Sequence, residues 1–232
     1  MTMMGHTFFL DRRSRPWVLS TNGEVGILAS CMAGSHDEGN RRAYSLGLSF
    51  AHRVTQAFLL ETSNNQQRGA ELSIERASQY LVEIAEDCLR EEPTDSGDSA
   101  GFVCTAWFAQ RGQQVFLSCG TTRVVCVDET GLSELIRPHS VAPEGAKSSD
   151  FQHITTHLLG VNCASTDIRD AAVRRDSETA VALIADSRLA EALEATGPCA
   201  ADLRENLRAC LDSYDGPLLR TYGVFEFFGG PK

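Results

Sequence analysis

The sequence lacks any hydrophobic run long enough to span a bilayer. It has no C-x-x-C pair, no internal repeat, no low-complexity tract and no excess of positive charge. Each absence removes a class of function. Without a long apolar run, a membrane-spanning helix is not expected. Met1 to Phe9 carry no basic leader followed by an apolar stretch, so no signal peptide is expected either. Lys and Arg number 21 against 31 Asp and Glu, a formal net charge of -10. Such a surface repels phosphate backbones and gains nothing from counterion release, so neither nucleic acid nor anionic membrane is an expected partner. The best candidate for a basic patch is "DRRSR", Asp11 to Arg15, which reads either as a local patch or as a solvated strand end. G-x-S-x-G, P-loop and H-E-x-x-H motifs are all missing.

What is present is an ordinary globular composition: 232 residues, 42% hydrophobic and 22% charged. That length supports one sizeable core and fits one domain, residues 1–232, better than two. The eight cysteines (Cys31, Cys88, Cys104, Cys119, Cys126, Cys163, Cys199 and Cys210) do not have zinc-ligand spacing, and several fall in apolar patterns. They read as reduced, mostly buried thiols of a cytoplasmic protein.

Along the chain, His6 to Leu10 and Glu24 to Cys31 read as strands. From Asp37 to about Glu61, Tyr44, Leu48, Ala51, Val54, Phe58 and Leu59 recur at helical steps. Thr62 to Gly69 reads as a polar break. A second helix follows over about Ala70 to Arg90, with Leu72, Ala77, Leu81, Ile84 and Leu89 on one face. Glu91 to Gly101 is a loop rich in Pro, Gly, Ser and Asp. Phe102 to Ile136 then reads as an antiparallel meander, with turns at Arg111-Gly112 and Glu129-Thr130-Gly131. Apolar runs such as Val124 to Val127 imply strands covered on both faces. Pro138 to Asp150 is loop-like. Asp170 to Arg175 and Thr179 to Asp186 form a further strand pair, short helices are expected near Leu189–Ala195 and Ala200–Asp212, and Tyr222 to Phe228 closes the chain as a strand. This order predicts an α+β sandwich with helices on the outer faces of antiparallel sheets.

The stretch "GILASCMAGSHDEG", Gly26 to Gly39, delivers the end of a buried strand to a loop before a long helix. That is a common place for catalytic groups, yet no carboxylate precedes Asp37. In the meander, Gly120-Thr121-Thr122-Arg123 ends a strand pair, and a further strand leads to Pro138-His139-Ser140. "ITTHLLG" (Ile154 to Gly160), "TDI" (Thr166 to Ile168) and Ala185-Asp186-Ser187 follow in order. With Ala29-Ser30-Cys31-Met32-Ala33-Gly34, and Ser35 or His36 after it, these segments resemble the metal-dependent Ser/Thr protein phosphatase family (PPM, type 2C). The family's corresponding motifs are G-D-S-R, D-H-S, L-T-x-x-L-G, P-D, S-D-G and A-D-G-M-G-G-H. The resemblance covers most of the chain and implies a four-layer α-β-β-α sandwich.

It also implies a set of positions. Family members hold two Mg²⁺ or Mn²⁺ ions, hard cations that want carboxylate oxygens, and a metal-bridged water attacks the phosphoryl group. The bridging Asp of the family falls on Ser30. The Gly whose carbonyl helps hold a metal falls on Cys31, which still offers a carbonyl. Asp186 is retained. The C-terminal Asp falls near Arg220 and Thr221, with Asp215 close by. If the Arg of the N-terminal R-x-x-N-E-D element is Arg12, its phosphate-binding role survives while N-E-D becomes Arg15-Pro16-Trp17. Scaffold residues Gly101, Gly120, Gly131, Gly160 and Arg123 persist.

The expected protein is therefore a pseudophosphatase: a non-catalytic binding or regulatory module in Ser/Thr phosphorylation signalling. No cofactor is expected, and the expected partner is a kinase or phosphoprotein in a bacterial cytoplasm. The alternative is a divergent Mn- or Mg-dependent phosphatase built on Asp186 with Asp167, Asp170, Asp212 or Asp215. A third reading, an unrelated α+β enzyme, would show a different strand order. Asp186 reads either as a relict ligand or as the cap of a helix beginning near Ser187, with the cap favoured. Cys31 reads either as a reactive thiol or, preferred, as a buried inert one. His36 and His139 read either as a catalytic or metal pair or, preferred, as surface or capping residues. Arg12, Arg13 and Arg15 either bind phosphate in bidentate fashion or lie at an exposed strand end.

Overall fold

The computed structural model describes residues 3–9, 17–32, 37–67, 70–91, 100–128, 131–139, 155–175, 179–185, 209 and 222–228. They form ten strands and two long helices, in the order β1 (Met3–Phe9), β2 (Trp17–Thr21), β3 (Gly26–Met32), α1 (Asp37–Gln67), α2 (Ile74–Glu91), β4 (Gly101–Gln110), β5 (Gln113–Cys119), β6 (Arg123–Asp128), β7 (Gly131–Ile136), β8 (Arg169–Arg174), β9 (Thr179–Ile184) and β10 (Tyr222–Phe228). A short 3-10 turn, Ser165–Asp167, precedes β8. One sheet has the order β1-β10-β9-β6-β7 and the other β2-β3-β4-β5-β8. Every pairing is antiparallel.

Strand alternation sorts the apolar residues into two cores. On β4, Phe102, Cys104, Ala106 and Phe108 face the helices, while Val103 and Trp107 face the other sheet. Both faces are covered, which is why β4 and β6 read as nearly unbroken apolar runs. Between the sheets Phe225 meets Trp107 and Phe116 edge-on at 5.0 and 5.3 Å, and Phe8 stacks on Trp107 at 5.4 Å. Burying each such ring contributes on the order of 1.5–3 kcal/mol. On the other side α1 and α2 cover the β2–β3–β4 face, with Phe50 stacked on Phe102 at 4.4 Å. The two helices and two sheets make three described layers. The helices expected near Leu189–Ala195 and Ala200–Asp212 lie outside the described residues, apart from helical Ala209.

Several boundaries differ from the sequence reading. The segment 62–67, expected as a break, continues α1: no Gly or Pro interrupts it before Gly69, and the Thr62 hydroxyl donates back to the Phe58 carbonyl at 2.6 Å. Conversely, α2 starts at Ile74 and not at Ala70, because Ser73 caps it by accepting the Arg76 N–H at 3.1 Å. Leu48 was placed on the buried stripe of α1 but is 46% exposed; the stripe runs through Ala43, Leu46, Phe50, Ala51, Val54 and Phe58, one residue out of phase with it. On α2 the buried face is Ala77, Ser78, Leu81, Ala85 and Cys88, with Ile84 and Leu89 at its margin and Leu72 buried ahead of the helix. β2 had no clear signal in the sequence. The β4–β5 hairpin closes through Arg111 (φ 45) and Gly112 (φ 73), the positive pair that a two-residue type I′ turn demands.

Candidate functional site

The candidate site lies where β3 and β5 end and β4 begins in one sheet, beside the start of β6 and the end of β9 in the other. Ser30, near the end of β3, pairs in register with Trp17 and Val103. Alternation puts Ile27, Ala29 and Cys31 on the helix side and Leu28 and Ser30 between the sheets. Ser30 is fully buried there, and its hydroxyl finds no hydrogen-bond partner among the described residues.

Gly120 carries the chain from β5 across to β6. Its φ is +106, and a Cβ on it would come within 2.4 Å of the Val103 side chain. Only glycine satisfies both demands. Thr121 and Thr122 are buried, and Arg123 then enters β6 opposite Ile184. The Arg123 guanidinium reaches Glu134 of β7 at 3.1 Å, with both side chains largely buried. Arg123 thus acts in the scaffold, as its turn position implied. Its Glu134 partner was missed in the sequence because a β-bulge between Val124 and Val125 shifts the register that brings the two together.

His139 is the hub of the loop beside this turn. Its backbone N–H donates to the Gly120 carbonyl at 2.7 Å, and its carbonyl accepts from Thr156 N–H at 2.8 Å. Ring Nδ1 accepts from the Gly120 N–H at 3.2 Å, and Nε2 lies 2.9 Å from the Asp167 carbonyl, where it must donate. Burial, and then the nearby Arg169 charge, lower its pKa below the ordinary value of 6.5. With both ring nitrogens engaged by backbone, His139 has no basic nitrogen left to activate Cys31. It is a buried capping residue. His36 lies outside the described residues.

The segment resembling L-T-x-x-L-G is tied to β4 by reciprocal bonds between Phe102 and Leu159, both 3.0 Å. Gly160 follows at φ +80, pressed against Leu89 of α2. In the Thr166–Ile168 stretch, Asp167 closes the 3-10 turn by accepting the Ala164 N–H at 2.8 Å. Asp170 is exposed on β8, separated from β3 by β4 and β5. The structure therefore brings neither Asp167, already a cap, nor Asp170 to Ser30. Arg12, Arg13, Arg15, Asp186, Asp212, Asp215 and Arg220 lie outside the described residues; the strand that leads to Asp186 ends with buried Ala185.

Cys31 is 3% exposed and packs in the helix-side core. As the bridge between a pair of divalent cations, the Ser30 hydroxyl does not fit, because it brings no negative oxygen; Cys31 still has the backbone carbonyl that the resemblance asks of its position. Among the described residues no group of three or more His, Cys, Asp and Glu is placed to hold a metal ion. A cleft of about 290 Å³, lined by Glu24, Asn65, Glu71, Arg111 and Arg175 among others, lies at the opposite end of the sheets from Ser30. No described helix is long and apolar enough to cross a membrane.

No family model matches the sequence, and no curated protein does. Solved structures match along nearly the whole chain. PppA, a key regulatory component of T6SS in Pseudomonas aeruginosa, is 17% identical with a TM-score of 0.62, covering 98% of each chain. The Mycobacterium tuberculosis serine/threonine phosphatase PstP/Ppp is 15% identical with a TM-score of 0.62 over 99% of each chain. The PPM Ser-Thr phosphatase MsPP of Mycobacterium smegmatis, solved with cacodylate, is 16% identical with a TM-score of 0.58, covering 99% of this chain and 98% of its own. At these identities the likeness is one of fold, and with the two-sheet topology it sets aside an unrelated α+β enzyme: the chain has the fold of the PPM, type 2C, Ser/Thr phosphatases.

Proposed function

We propose that this chain is a catalytically inactive phosphatase-fold protein, one domain over its 232 residues, that works as a binding or regulatory module in Ser/Thr phosphorylation signalling. The observation that carries the proposal is Ser30. At the position where the family bridges two cations with a carboxylate, this chain has a neutral hydroxyl, buried and unpartnered between the sheets. Scaffold features around it are kept: the Gly120 turn, the Arg123 entry into β6 and the Gly160 contact with α2. Loss of ligand chemistry with retention of backbone geometry favours a surface that recognises over a site that hydrolyses. PppA, with the same fold, is a regulatory component of its own system, which supports a protein partner here, a kinase or a phosphoprotein. The acidic net charge supports the absence of nucleic acid and anionic membrane from the partner set. The proposed setting is a bacterial cytoplasm; proteins with this fold come from Pseudomonas aeruginosa and Mycobacterium tuberculosis.

The test is a calorimetric titration of the metal-stripped full chain with Mn²⁺, with phosphopeptide hydrolysis assayed on the same samples. The expected result is no saturable binding and no turnover. Micromolar binding with turnover that disappears in Asp186→Asn would overturn the proposal and return the chain to the divergent phosphatases.

A further inference from the structure

Cys119 ends β5, and Cys163 lies 44 residues further on, in the segment that leads to the 3-10 turn. Their Sγ atoms are 3.1 Å apart, a direct thiol–thiol contact in which Cys119 donates, this being the shorter of its two outlets, the other the His157 carbonyl at 3.7 Å. Cys163 has a second outlet for its own proton, the Ala164 carbonyl at 3.6 Å. Cys119 is fully buried, whereas Cys163 keeps a narrow 6% exposure. Across the hairpin, Cys104 stands in register with Cys119.

We propose that Cys119 and Cys163 form a redox modification site, converted by a hydroperoxide into an intramolecular disulfide. The Cys163 thiolate attacks one peroxide oxygen. The O–O bond breaks, the sulfur gives up two electrons and keeps the terminal OH as a sulfenic acid, and the other oxygen leaves as alkoxide, or as hydroxide from hydrogen peroxide, taking up the proton that Cys163 released. The Cys119 sulfur then attacks the sulfenic sulfur. The S–S bond forms, the S–O bond breaks, and the Cys119 proton leaves with the hydroxyl group as water. Overall, two thiols and one hydroperoxide give a disulfide, water and the alcohol, or a second water from hydrogen peroxide itself.

The division of roles follows from the surroundings. The hydrogen bond donated by Cys119 stabilises a thiolate at Cys163 and lowers its pKa. That same bond, with burial, raises the pKa of Cys119, and burial raises that of Cys104. The outer sulfur is therefore the attacking one and the inner sulfur resolves. Bond formation needs an S–S length near 2.05 Å, so the two sulfurs close by about 1 Å. Cys119 is fixed in an interior strand, and the movement falls to the loop that carries Cys163.

The test uses the full wild-type chain, reduced, freed of reductant and exposed to hydrogen peroxide. Remaining thiols are blocked with N-ethylmaleimide in denaturant, and the protein is digested with trypsin without reduction. Peptides 112–123 and 148–169 each carry one cysteine, Cys119 and Cys163, while Cys104 falls in 91–111. The expected result is a linked 112–123/148–169 pair, lighter than the sum of its parts by two hydrogens and separated again by dithiothreitol. The two maleimide-labelled single peptides should be lost together. In Cys163→Ser the link is lost and Cys119 stays labelled. A Cys104–Cys119 link, a sulfinic acid on Cys163 without a crosslink, or full labelling of both cysteines would each overturn the proposal. Mapping on the wild-type chain keeps the test independent of how well the variant folds.

Discussion

His139 donates its Nε2 proton to the Asp167 carbonyl at 2.9 Å while its Nδ1 accepts the Gly120 N–H, so one neutral ring joins the β5–β6 turn to the segment under α2. The neutral form is the one the fold requires. Because its folded pKa is lowered, the stability it contributes is complete above pH 6.5 and is lost as pH falls through the folded value. Urea unfolding of the wild type should therefore weaken between pH 7 and pH 5. His139→Ala should cost about 2–3 kcal/mol at pH 8, since it leaves the buried Gly120 N–H without its ring acceptor. It should also flatten the pH dependence over that range. An unchanged slope in the variant would assign the acid sensitivity to another group.

Ser30 lends itself to a pair of opposite substitutions. Ser30→Ala removes a buried hydroxyl that has no partner, so stability should stay level or rise by about 0.5–1 kcal/mol. Ser30→Asp introduces a carboxylate into the same dry position, and its charged form should be penalised by about 2–4 kcal/mol. That penalty should shrink as pH falls and the carboxyl protonates. Denaturant melts of both variants at pH 8 and pH 5 read the two effects. A strongly destabilised Ser30→Ala would mean that the hydroxyl is held by a group outside the described residues.

Arg123 and Arg137 both reach Glu134, at 3.1 and 2.8 Å, but from different environments. The Arg137 side chain is 69% exposed, so Arg137→Ala should move stability by less than about 0.5 kcal/mol. Arg123 is 15% exposed, and Arg123→Ala strips a largely buried carboxylate of its inner partner, at a cost of about 2–3 kcal/mol. The check is the ratio of the two losses in thermal or chemical unfolding; equal losses would contradict the burial difference.

Gly120→Ala should be among the most damaging single changes in the scaffold, costing more than about 2 kcal/mol. The added Cβ meets Val103 at 2.4 Å on a backbone with φ +106. Adding Val103→Ala removes the Cγ contact but leaves the Cβ at position 103 at 2.6 Å and the dihedral unchanged, so the double variant should recover only part of the loss. Full recovery would show that the left-handed backbone carries no strain.

Most of the fold was legible because strand pairing and helix packing impose periods that a sequence displays. The Arg111-Gly112 turn, the doubly covered Val124 to Val127 run and the final strand from Tyr222 were all readable in this way. Where the reading slipped, a local rule had been given too much weight. Polar residues do not end a helix when neither Gly nor Pro interrupts it, and Thr62 to Gln67 stay helical. A single apolar residue can sit off the stripe, as Leu48 does. The site was legible only in part. Ser30 was legible as the end of a strand and through the resemblance; its burial between the sheets was not. The Arg123–Glu134 pair depends on a bulge, and the Cys119–Cys163 contact joins positions 44 residues apart. Neither leaves a periodic mark.

The arrangement of β1 and β10 sets the order in which this protein can mature. Within its sheet, β1 pairs only with β10, and β10 lies between β1 and β9. On the ribosome, Met3–Phe9 emerges long before Tyr222–Phe228 and must wait for it. Until then β9 also has an open edge, and Trp107 and Phe116 lack the Phe225 ring that caps them. The nascent chain therefore carries two unpaired strand edges and an unsealed aromatic cluster until β10 is made. Such long-range closure slows folding and exposes the chain to aggregation, so truncation ahead of Tyr222 should yield an insoluble product even with both helices and the meander intact.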